Sequence, residues 1–358
     1  MSSLFAPWSS FLEQALNESS LNETRSIVLS DSKSTHSSSA TRLNLLDIGI
    51  LGLIPEDYAP QSRSVDQKPK EGLVLSAGVH GNETGPIELI NLLVESVLAG
   101  ETNVARPTLV ILGHPSAMQK SERFITFNMN RLFTGQHHQS DVADSVDAQR
   151  ARQLELCLDQ FASHVGISNH YDLHTAIRDS KVERFALKPF VDAKSTQTIS
   201  TNAKRILTGF GVEALVYQHK RATTFSSHTA QNYGSESFTL ELGKVHAFGE
   251  NDLAAYNDAL VTIKGLVSNS AAEVKYSEIQ EFAVCHEILV DDTDFKLHVE
   301  DDAPNFSQFA KDACIHASSK SRYCVVNDLE HLIFPNAKVP LGQRAGLMLK
   351  RINSGQAK

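Results

Sequence analysis

A histidine and a glutamate three residues apart, His80 and Glu83, follow a short apolar run and could hold one divalent metal ion. The turn around them contains Gly78, Gly81 and Gly85, so the backbone can bend sharply enough for both side chains to face one point. His-x-x-Glu alone is a weak motif, because most such histidines are surface residues or satisfied core residues. The glycine-rich turn makes this pair a candidate metal site.

His174 supplies a second imidazole and lies in a predicted strand, where successive side chains point to opposite faces. In a strand, Asp172 and His174 lie on the same face, where the carboxylate could orient the imidazole ring. His170 shares that face but stands deeper in the predicted strand, and we interpret it as structural. Two imidazoles and one carboxylate leave a tetrahedral zinc ion with one open position, which is typical of catalytic sites.

A carboxylate inside an apolar run, Glu241, is the candidate general base. Burying it without a purpose or a partner would be costly, although a structural ion pair is the alternative interpretation. Zinc lowers the pKa of a bound water to near neutrality. A carboxylate close to that water could take its proton as it attacks a carbonyl.

A loop after a predicted strand end carries two arginines and an amide, Arg123, Asn130 and Arg131. A guanidinium suits a carboxylate or a developing oxyanion, whereas arginines of this kind are more often solvated surface residues. Two further polar clusters are interpreted as surface or loop: the acidic stretch around His298, Glu300 and Asp301, and the pair His137-His138. No phosphate-binding loop or dinucleotide fingerprint occurs, so phosphate cofactors have no support.

The elements that must position these residues alternate between strand and helix from about residue 71 onwards. Predicted strands span 43–53, 71–79, 108–113, 168–174, 213–217 and 238–242, and predicted helices span 86–98, 147–161 and 251–266. The alternation predicts an α/β fold, a mainly parallel mixed sheet flanked by helices on both faces. Ligands in such sheets gather beyond the carboxyl ends of strands, where residues distant in sequence can share one cleft.

A change of pattern after a linker, Ser268 to Ala271, predicts two domains. We expect a catalytic domain over residues 1–270 and a smaller β-rich domain over residues 271–358. The function of residues 1–70 is not visible in the sequence, and the polar run from Ser30 to Arg42 indicates a loop.

The chain has 358 residues, 41% of them apolar, and a net charge of -9. This charge argues against binding to nucleic acid or to an anionic membrane, so a small-molecule substrate is expected. The four cysteines contain no Cys-x-x-Cys pair and are predicted to be buried, reduced thiols. The N-terminus has no basic region followed by an apolar stretch, and no run of about 18 apolar residues occurs. We expect a cytoplasmic protein.

Long stretches of the sequence resemble the succinylglutamate desuccinylases, which belong to the aspartoacylase branch of the zinc-carboxypeptidase-like hydrolases. The resemblance extends over nearly the whole chain. Its strongest stretches are Ala77–Thr84, Asp172–Arg178, Thr239–Lys244, Phe248–Asp252, Phe334–Asn336 and Arg344–Leu349.

The resemblance implies one Zn²⁺ per chain, held by His80, Glu83 and His174, with Glu241 as general base. It further implies that the arginine at position 123 polarises the scissile carbonyl and that an Asn-Arg pair, at positions 130 and 131, holds a substrate carboxylate. The implied reaction is hydrolysis of N2-succinyl-L-glutamate to succinate and L-glutamate, the last step of arginine breakdown through succinylated intermediates. Related acylases imply a homodimer.

Two positions depart from the family pattern. Gln231 stands where related enzymes often carry an arginine, and Asp179 stands where glycine is usual. Recognition of a substrate carboxylate would then shift to another cation, with Arg178 as the first choice and Lys181, Arg184 and Arg221 as alternatives.

Two other functions remain open on the sequence alone. The same site could cleave another N-acyl amino acid or a peptide C-terminus, because the shape of the pocket is not readable from sequence. A metal-stabilised module that binds a dicarboxylate without cleaving it is the non-enzymatic alternative. It would need no base, so the presence of Glu241 argues against it.

Overall fold

The computed structural model describes residues 4–18, 20–21, 23–29, 40–59, 70–192, 198–270 and 277–352. The α-helices of these residues are α1 (Phe11–Asn17), α2 (Thr84–Leu98), α3 (Pro115–Gln119), α4 (Val146–Val165), α5 (Thr201–Gly209), α6 (Phe225–Tyr233) and α7 (Asn257–Val267). The strands are β1 (Arg25–Leu29), β2 (Thr41–Asp47), β3 (Ile50–Pro55), β4 (Gly72–Ala77), β5 (Thr108–Leu112), β6 (Ile167–Ala176), β7 (Arg184–Lys188), β8 (Ala214–Tyr217), β9 (Glu236–Lys244), β10 (Gln280–Leu289), β11 (Lys296–Leu297), β12 (Ser307–Ala310), β13 (Cys314–Ala317), β14 (Arg322–Cys324), β15 (Leu329–Ile333) and β16 (Arg344–Ile352).

These elements form two compact units, and neither is continuous in sequence. The first unit comprises Met1–Thr175, Ala222–Leu240 and Val245–Lys275, and the second comprises Ala176–Arg221, Glu241–Lys244 and Tyr276–Lys358. The domain boundary expected between residues 270 and 271 adjoins residues 271–276, which lie outside the described residues. That boundary remains a prediction.

The first unit is built on the strand order β1-β2-β3-β5-β4-β6, followed by the first half of β9. β4 pairs in parallel with both β5 and β6, whereas β1, β2 and β3 add antiparallel strands. Every residue of β4 and β5 is buried, as expected for parallel strands covered on both faces. Leu154 and Leu158 of α4 share a core cluster with Val74 of β4 and Leu109 of β5.

The second unit is richer in antiparallel pairs. Its strands β7, β8 and β10 pair in parallel, and β10, β16, β15 and β12 continue as antiparallel neighbours. A separate three-stranded sheet has the order β11-β13-β14. The predicted β-rich C-terminal region and the predicted mixed α/β class are both confirmed.

Most predicted elements have counterparts in the structure, but the prediction of one strand was wrong. The expected strand over 43–53 is a hairpin of β2 and β3, because Gly49, with φ +66°, turns the chain back. A Cβ there would meet the carbonyl oxygen of Leu112 at 2.8 Å, so a side chain does not fit. Of the loop expected over Ser30 to Arg42, residues 30–39 lie outside the described residues, and Thr41 and Arg42 belong to β2.

The four cysteines are free thiols, as predicted, but only Cys157 is buried. Cys285, Cys314 and Cys324 are half-buried, so the prediction of burial was wrong for these three. The absence of a Cys-x-x-Cys pair carries no information about burial, which depends on how the strands of these cysteines pack. Among the helices of the described residues, none has the length and apolarity needed to cross a membrane.

Candidate metal centre

The turn between β4 and α2 carries the first two candidate ligands. Gly78 has a φ of +69°, which favours glycine, and the Glu83 N–H donates to the carbonyl of His80 at 3.2 Å. A Cβ on Gly81 would lie 2.2 Å from the carbonyl carbon of Ala117, in α3. Only a residue without a side chain lets α3 approach this closely. The glycines therefore bring His80 and Glu83 back towards each other.

The third candidate ligand, His174, lies near the end of β6 in the same compact unit. Its Nδ1 is 2.8 Å from Glu83 Oε2, and the Nδ1 of His80 is 2.8 Å from Glu83 Oε1. One donor atom from each of the three residues lies within 4.8 Å of the other two, and all three side chains are buried. Within the part of the chain that the structure describes, this is the one group of three or more such residues able to hold a metal ion.

The outward-facing nitrogens of both imidazoles are held by side-chain oxygens. Nε2 of His80 lies 3.0 Å from Asn128 Oδ1, and Nε2 of His174 lies 2.8 Å from Asp172 Oδ2. A proton on each Nε2 suits these oxygen acceptors, and each Nδ1 would then offer its lone pair to a metal ion. The donor set of two imidazole nitrogens and one carboxylate therefore fits a zinc-type ion with an open position.

The electrostatics among these side chains favour an ionised carboxylate between the two rings. Burial opposes ionisation of Glu83, but His80, His174 and Arg123 outweigh it and hold its pKa well below the usual value. Burial and the nearby Arg123 lower the pKa of His80 to about 4. For His174, Asp172 and Glu83 outweigh burial and raise the pKa well above the usual value.

His170 has a structural role, as its depth in the strand predicted. Its Nδ1 lies 2.8 Å from Thr229 Oγ1, and its Nε2 lies 2.8 Å from Ser76 Oγ. Ser76 donates its only hydroxyl proton to Asp172 at 2.6 Å, so the Nε2 proton of His170 points at Ser76. Both ring nitrogens of His170 are thus engaged away from the candidate ligands, and the chain of contacts anchors Asp172.

Arg123 lies at the candidate centre. Its Nη1 is 2.6 Å from Glu83 Oε1, and its side chain is 33% exposed. Its carbonyl accepts a hydrogen bond of 3.3 Å from the N–H of Gly81, which ties the loop to the ligand-bearing turn. The guanidinium has further N–H groups that can meet a second partner.

Asp147, in the first turn of α4, anchors the loop that carries Arg123 and Asn128. Its buried carboxylate accepts the backbone N–H groups of three consecutive loop residues at 2.9, 2.9 and 3.1 Å. These are residues 125–127. The Asp147 carboxylate also lies 2.9 Å from Nε2 of His114. The sequence analysis missed both Asn128 and Asp147. An acidic residue in a first helical turn is common, so the sequence carried no distinctive signal for Asp147.

Asn130 and Arg131 lie in a short 3-10 turn, Met129–Arg131. The Oδ1 of Asn130 accepts the N–H of Phe225 at 2.9 Å, which leaves the side-chain NH₂ as the group that can donate to a substrate carboxylate. Arg131 is exposed and donates to the carbonyl of Asn130 at 2.8 Å. Their predicted contacts with a substrate remain predictions.

Three further residues discussed in the sequence analysis are Glu241, Arg178 and Gln231. Glu241 is a buried residue of β9, and Arg178 donates to the carbonyl of Asp301, which belongs to the same unit. Gln231, the departure from the family pattern, donates from its side chain to the carbonyl of Ala222 at 3.0 Å. The roles of Glu241 and Arg178 remain predictions.

The other polar clusters stay outside the candidate centre. His298 and Glu300 line an open cavity of about 710 Å³ in the second unit. His137 lies in a 3-10 turn, Gln136–His138, with Nδ1 3.2 Å from the carbonyl of Leu132. None of these residues belongs to the metal-capable group found in the described ranges.

Comparison with known proteins adds two family matches. Residues 69–265 match the succinylglutamate desuccinylase/aspartoacylase catalytic domain, and residues 277–352 match the AstE/AspA barrel-sandwich hybrid domain. The succinylglutamate desuccinylase of Ectopseudomonas mendocina is 38% identical, over 86% of this chain and 89% of the relative. That of Shewanella denitrificans is 34% identical, over 86% and 88%. The X-ray structure of the enzyme from Vibrio parahaemolyticus has a TM-score of 0.85 at 28% identity, covering 98% of this chain and 97% of that one.

Proposed function

Because this chain belongs to the succinylglutamate desuccinylase/aspartoacylase family, we propose that it hydrolyses the amide bond of N2-succinyl-L-glutamate. The products are succinate and L-glutamate. Relatives that carry the name succinylglutamate desuccinylase match over most of both chains, which supports this substrate over other acylated amino acids.

One observation carries the proposal: Nδ1 of His80, the carboxylate of Glu83 and Nδ1 of His174 converge in a buried cluster. Both imidazoles present the same ring nitrogen, and Asn128 and Asp172 hold the opposite one. Two imidazole nitrogens and one carboxylate that converge in this way are the donor set of a zinc-type site.

We assign Zn²⁺ to these three residues, one ion per chain. When bound, the ion supplies a Lewis acid that polarises the amide and makes water acidic enough to lose a proton near neutral pH. Glu241 is assigned as the base that takes this proton and returns it to the leaving nitrogen, an assignment that rests on the sequence.

The remaining residues bind and orient the substrate. As water adds to the amide carbon, the carbonyl oxygen gains negative charge, which the guanidinium of Arg123 can neutralise. The side-chain NH₂ of Asn130 and the guanidiniums of Arg131 and Arg178 are assigned to the carboxylates of the substrate. A small, polyanionic acylated amino acid needs such local cations, and the net charge of -9 leaves nucleic acid and anionic membranes as poor partners.

The proposal is tested by assaying the full chain, supplied with Zn²⁺, on a panel of acylated amino acids. We expect kcat/KM for N2-succinylglutamate to exceed that for N-acetylaspartate by roughly a hundredfold or more, because the acetyl group lacks the carboxylate that the cations would bind. Removal of the metal with a chelator should abolish succinate release, and added Zn²⁺ should restore it.

The same panel separates the alternatives. Faster cleavage of N-acetylaspartate than of N2-succinylglutamate would show that the chain hydrolyses another class of N-acyl amino acid. Calorimetric binding of N2-succinylglutamate with no succinate formed over long incubation would instead support a dicarboxylate-binding module. Activity that survives complete metal removal would contradict the zinc assignment.

A further inference from the structure

Two of the free cysteines face each other across the small sheet of the second unit. In the antiparallel register of β13 and β14, Cys314 is the direct partner of Cys324. On one side of this pair the N–H of Val325 donates to the carbonyl of Ala313 at 2.9 Å, and on the other side the register shifts between Cys314 and His316. Directly opposite residues of antiparallel strands have Cα atoms about 4.5–5.5 Å apart. Disulfides span Cα separations of about 4.4–6.8 Å.

The side chains of this pair point to one place. Arg322 is exposed, and the neighbouring side chains of Cys314 and Cys324 raise the pKa of its guanidinium. Cys314 and Cys324 are themselves half-buried, so each side chain is partly open to solvent. Because the two residues are directly opposite in the register, their side chains lie on the same face of the small sheet.

The other two cysteines lack these features. Cys157 is buried, and burial raises its pKa to about 11. Burial and the nearby Glu330 raise the pKa of Cys285 to about 12. The thiolate is the reactive form of cysteine, so both of these thiols are poor nucleophiles near neutral pH.

We propose that Cys314 and Cys324 form a dithiol site that is reversibly oxidised to a cross-strand disulfide by a peroxide. This site is separate from the candidate metal centre and does not depend on the proposed hydrolytic function.

The chemistry balances with hydrogen peroxide as the oxidant. One thiolate attacks a peroxide oxygen, the O–O bond breaks, and the sulfur becomes a sulfenic acid while the leaving hydroxide takes a proton and departs as water. The second thiolate attacks that sulfur, the S–O bond breaks, and the released hydroxide takes a proton to give a second water. Two electrons pass from the two thiols to the peroxide. A dithiol reductant reverses the step by thiol–disulfide exchange.

The neighbouring contacts hold the strand in place for this reaction. Tyr323, between Arg322 and Cys324, stacks on His286 with ring centroids 3.8 Å apart and an interplanar angle of 4°. Its hydroxyl also donates to Glu330 Oε2 at 2.7 Å. β14 is thus fixed by side chains on one face, while the two cysteines occupy the other.

The test is stoichiometric treatment of the full-length chain with hydrogen peroxide, followed by alkylation of the remaining thiols and peptide mapping by mass spectrometry. We expect two of the four free thiols to be lost and a peptide linked through Cys314 and Cys324 to appear. Dithiothreitol should restore both thiols. The Cys285→Ser variant is the matched control and should form the same link, whereas Cys324→Ser should not.

Several results would overturn the proposal. These are a pair that stays fully open to alkylation, oxidation of one cysteine to a sulfinic acid without any link, and a link that involves Cys285. If Cys324→Ser does not fold, the unmodified chain and Cys285→Ser still decide the question, because the linked peptide is measured directly in both.

Discussion

Asp172 fixes the orientation of one candidate ligand through a single hydrogen bond. Its Oδ2 lies 2.8 Å from Nε2 of His174, and its Oδ1 accepts the hydroxyl proton of Ser76 at 2.6 Å. The negative charge of Asp172 keeps the proton on Nε2, so that Nδ1 is the nitrogen that faces Glu83. Metal affinity should therefore depend on a residue that never touches the metal.

We predict that Asp172→Asn lowers the affinity for Zn²⁺ by roughly 10–100-fold, because the amide holds the tautomer and orientation of His174 less firmly. Affinity is measured by competition with a chromophoric chelator. Asp179→Asn is the matched control, since Asp179 is exposed and pairs only with the exposed Lys244 among the contacts described. Equal affinities in the two variants would show that Asp172 does not tune the site.

Glu241→Gln tests the proposed base. We predict a loss in kcat of roughly 10²–10⁴-fold, the usual contribution of general acid–base catalysis, with Zn²⁺ binding unchanged because Glu241 is not a ligand. Succinate release and metal content are measured on the same preparation. Glu183→Gln, at an exposed position, is the control for the substitution itself. A variant that keeps its activity would remove Glu241 from the mechanism.

At the scale of elements, the loop from Arg123 to Asn128 is held by one residue of α4. The carboxylate of Asp147 accepts three consecutive backbone N–H groups of this loop, and the two ends of the loop contact Glu83 and His80. Helix α4 thereby positions groups at the candidate metal centre although none of its side chains is a ligand. The loop and the helix act together.

We predict that Asp147→Asn lowers the free energy of unfolding by about 3 kcal/mol, because an NH₂ group then faces buried N–H donors. It should also lower kcat/KM, since Arg123 and Asn128 lose their fixed positions. Chemical unfolding and the succinate assay measure the two effects. Asp144 is exposed and lies just before α4. Asp144→Asn should therefore change neither the free energy of unfolding nor kcat/KM.

The stabilisation by Asp147 should disappear in acid. Burial works against its ionisation, but hydrogen bonds from His114 and from three backbone N–H groups outweigh burial and lower its pKa to about 2. A carboxyl group whose pKa is lower in the folded chain stabilises it above the unfolded pKa of about 3.9. The difference in unfolding free energy between Asp147→Asn and the unmodified chain should therefore shrink as the pH falls from about 4 to about 2. A constant difference over this window would contradict an ionised Asp147.

At the scale of the whole molecule, each compact unit gathers segments that are far apart in the chain. The second unit takes Ala176–Arg221 and Glu241–Lys244 in addition to the C-terminal strands. A single domain boundary near residue 270 would therefore group these two segments of the second unit with the residues of the first unit. The first unit contains all three candidate metal ligands.

The homodimer implied by the family resemblance is a prediction for the whole molecule. Light scattering of the full chain should give a mass near twice the 39.3 kDa of one chain. A closed two-fold assembly is the commonest arrangement of identical subunits, and its mass would stay constant over a wide concentration range. A mass of one chain at micromolar concentration would contradict it.

The sequence by itself determined the features that depend on local backbone geometry. The glycines around His80 and Glu83 allow one turn, and the two-residue period of a strand places Asp172 and His174 on one face. The depth of His170 in the same strand likewise predicted its structural role. Strands β4 and β5 were predicted because buried parallel strands are nearly continuous apolar runs.

Only the tertiary structure decided the contacts between residues distant along the chain. Asn128 meets His80 across 48 positions, and Asp147 meets the loop across 20 to 22. The turn at Gly49 was hidden because its requirement comes from the carbonyl of Leu112, a residue of another strand. A local pattern states which face a side chain takes, but a partner supplied by a remote segment depends on how the whole chain packs.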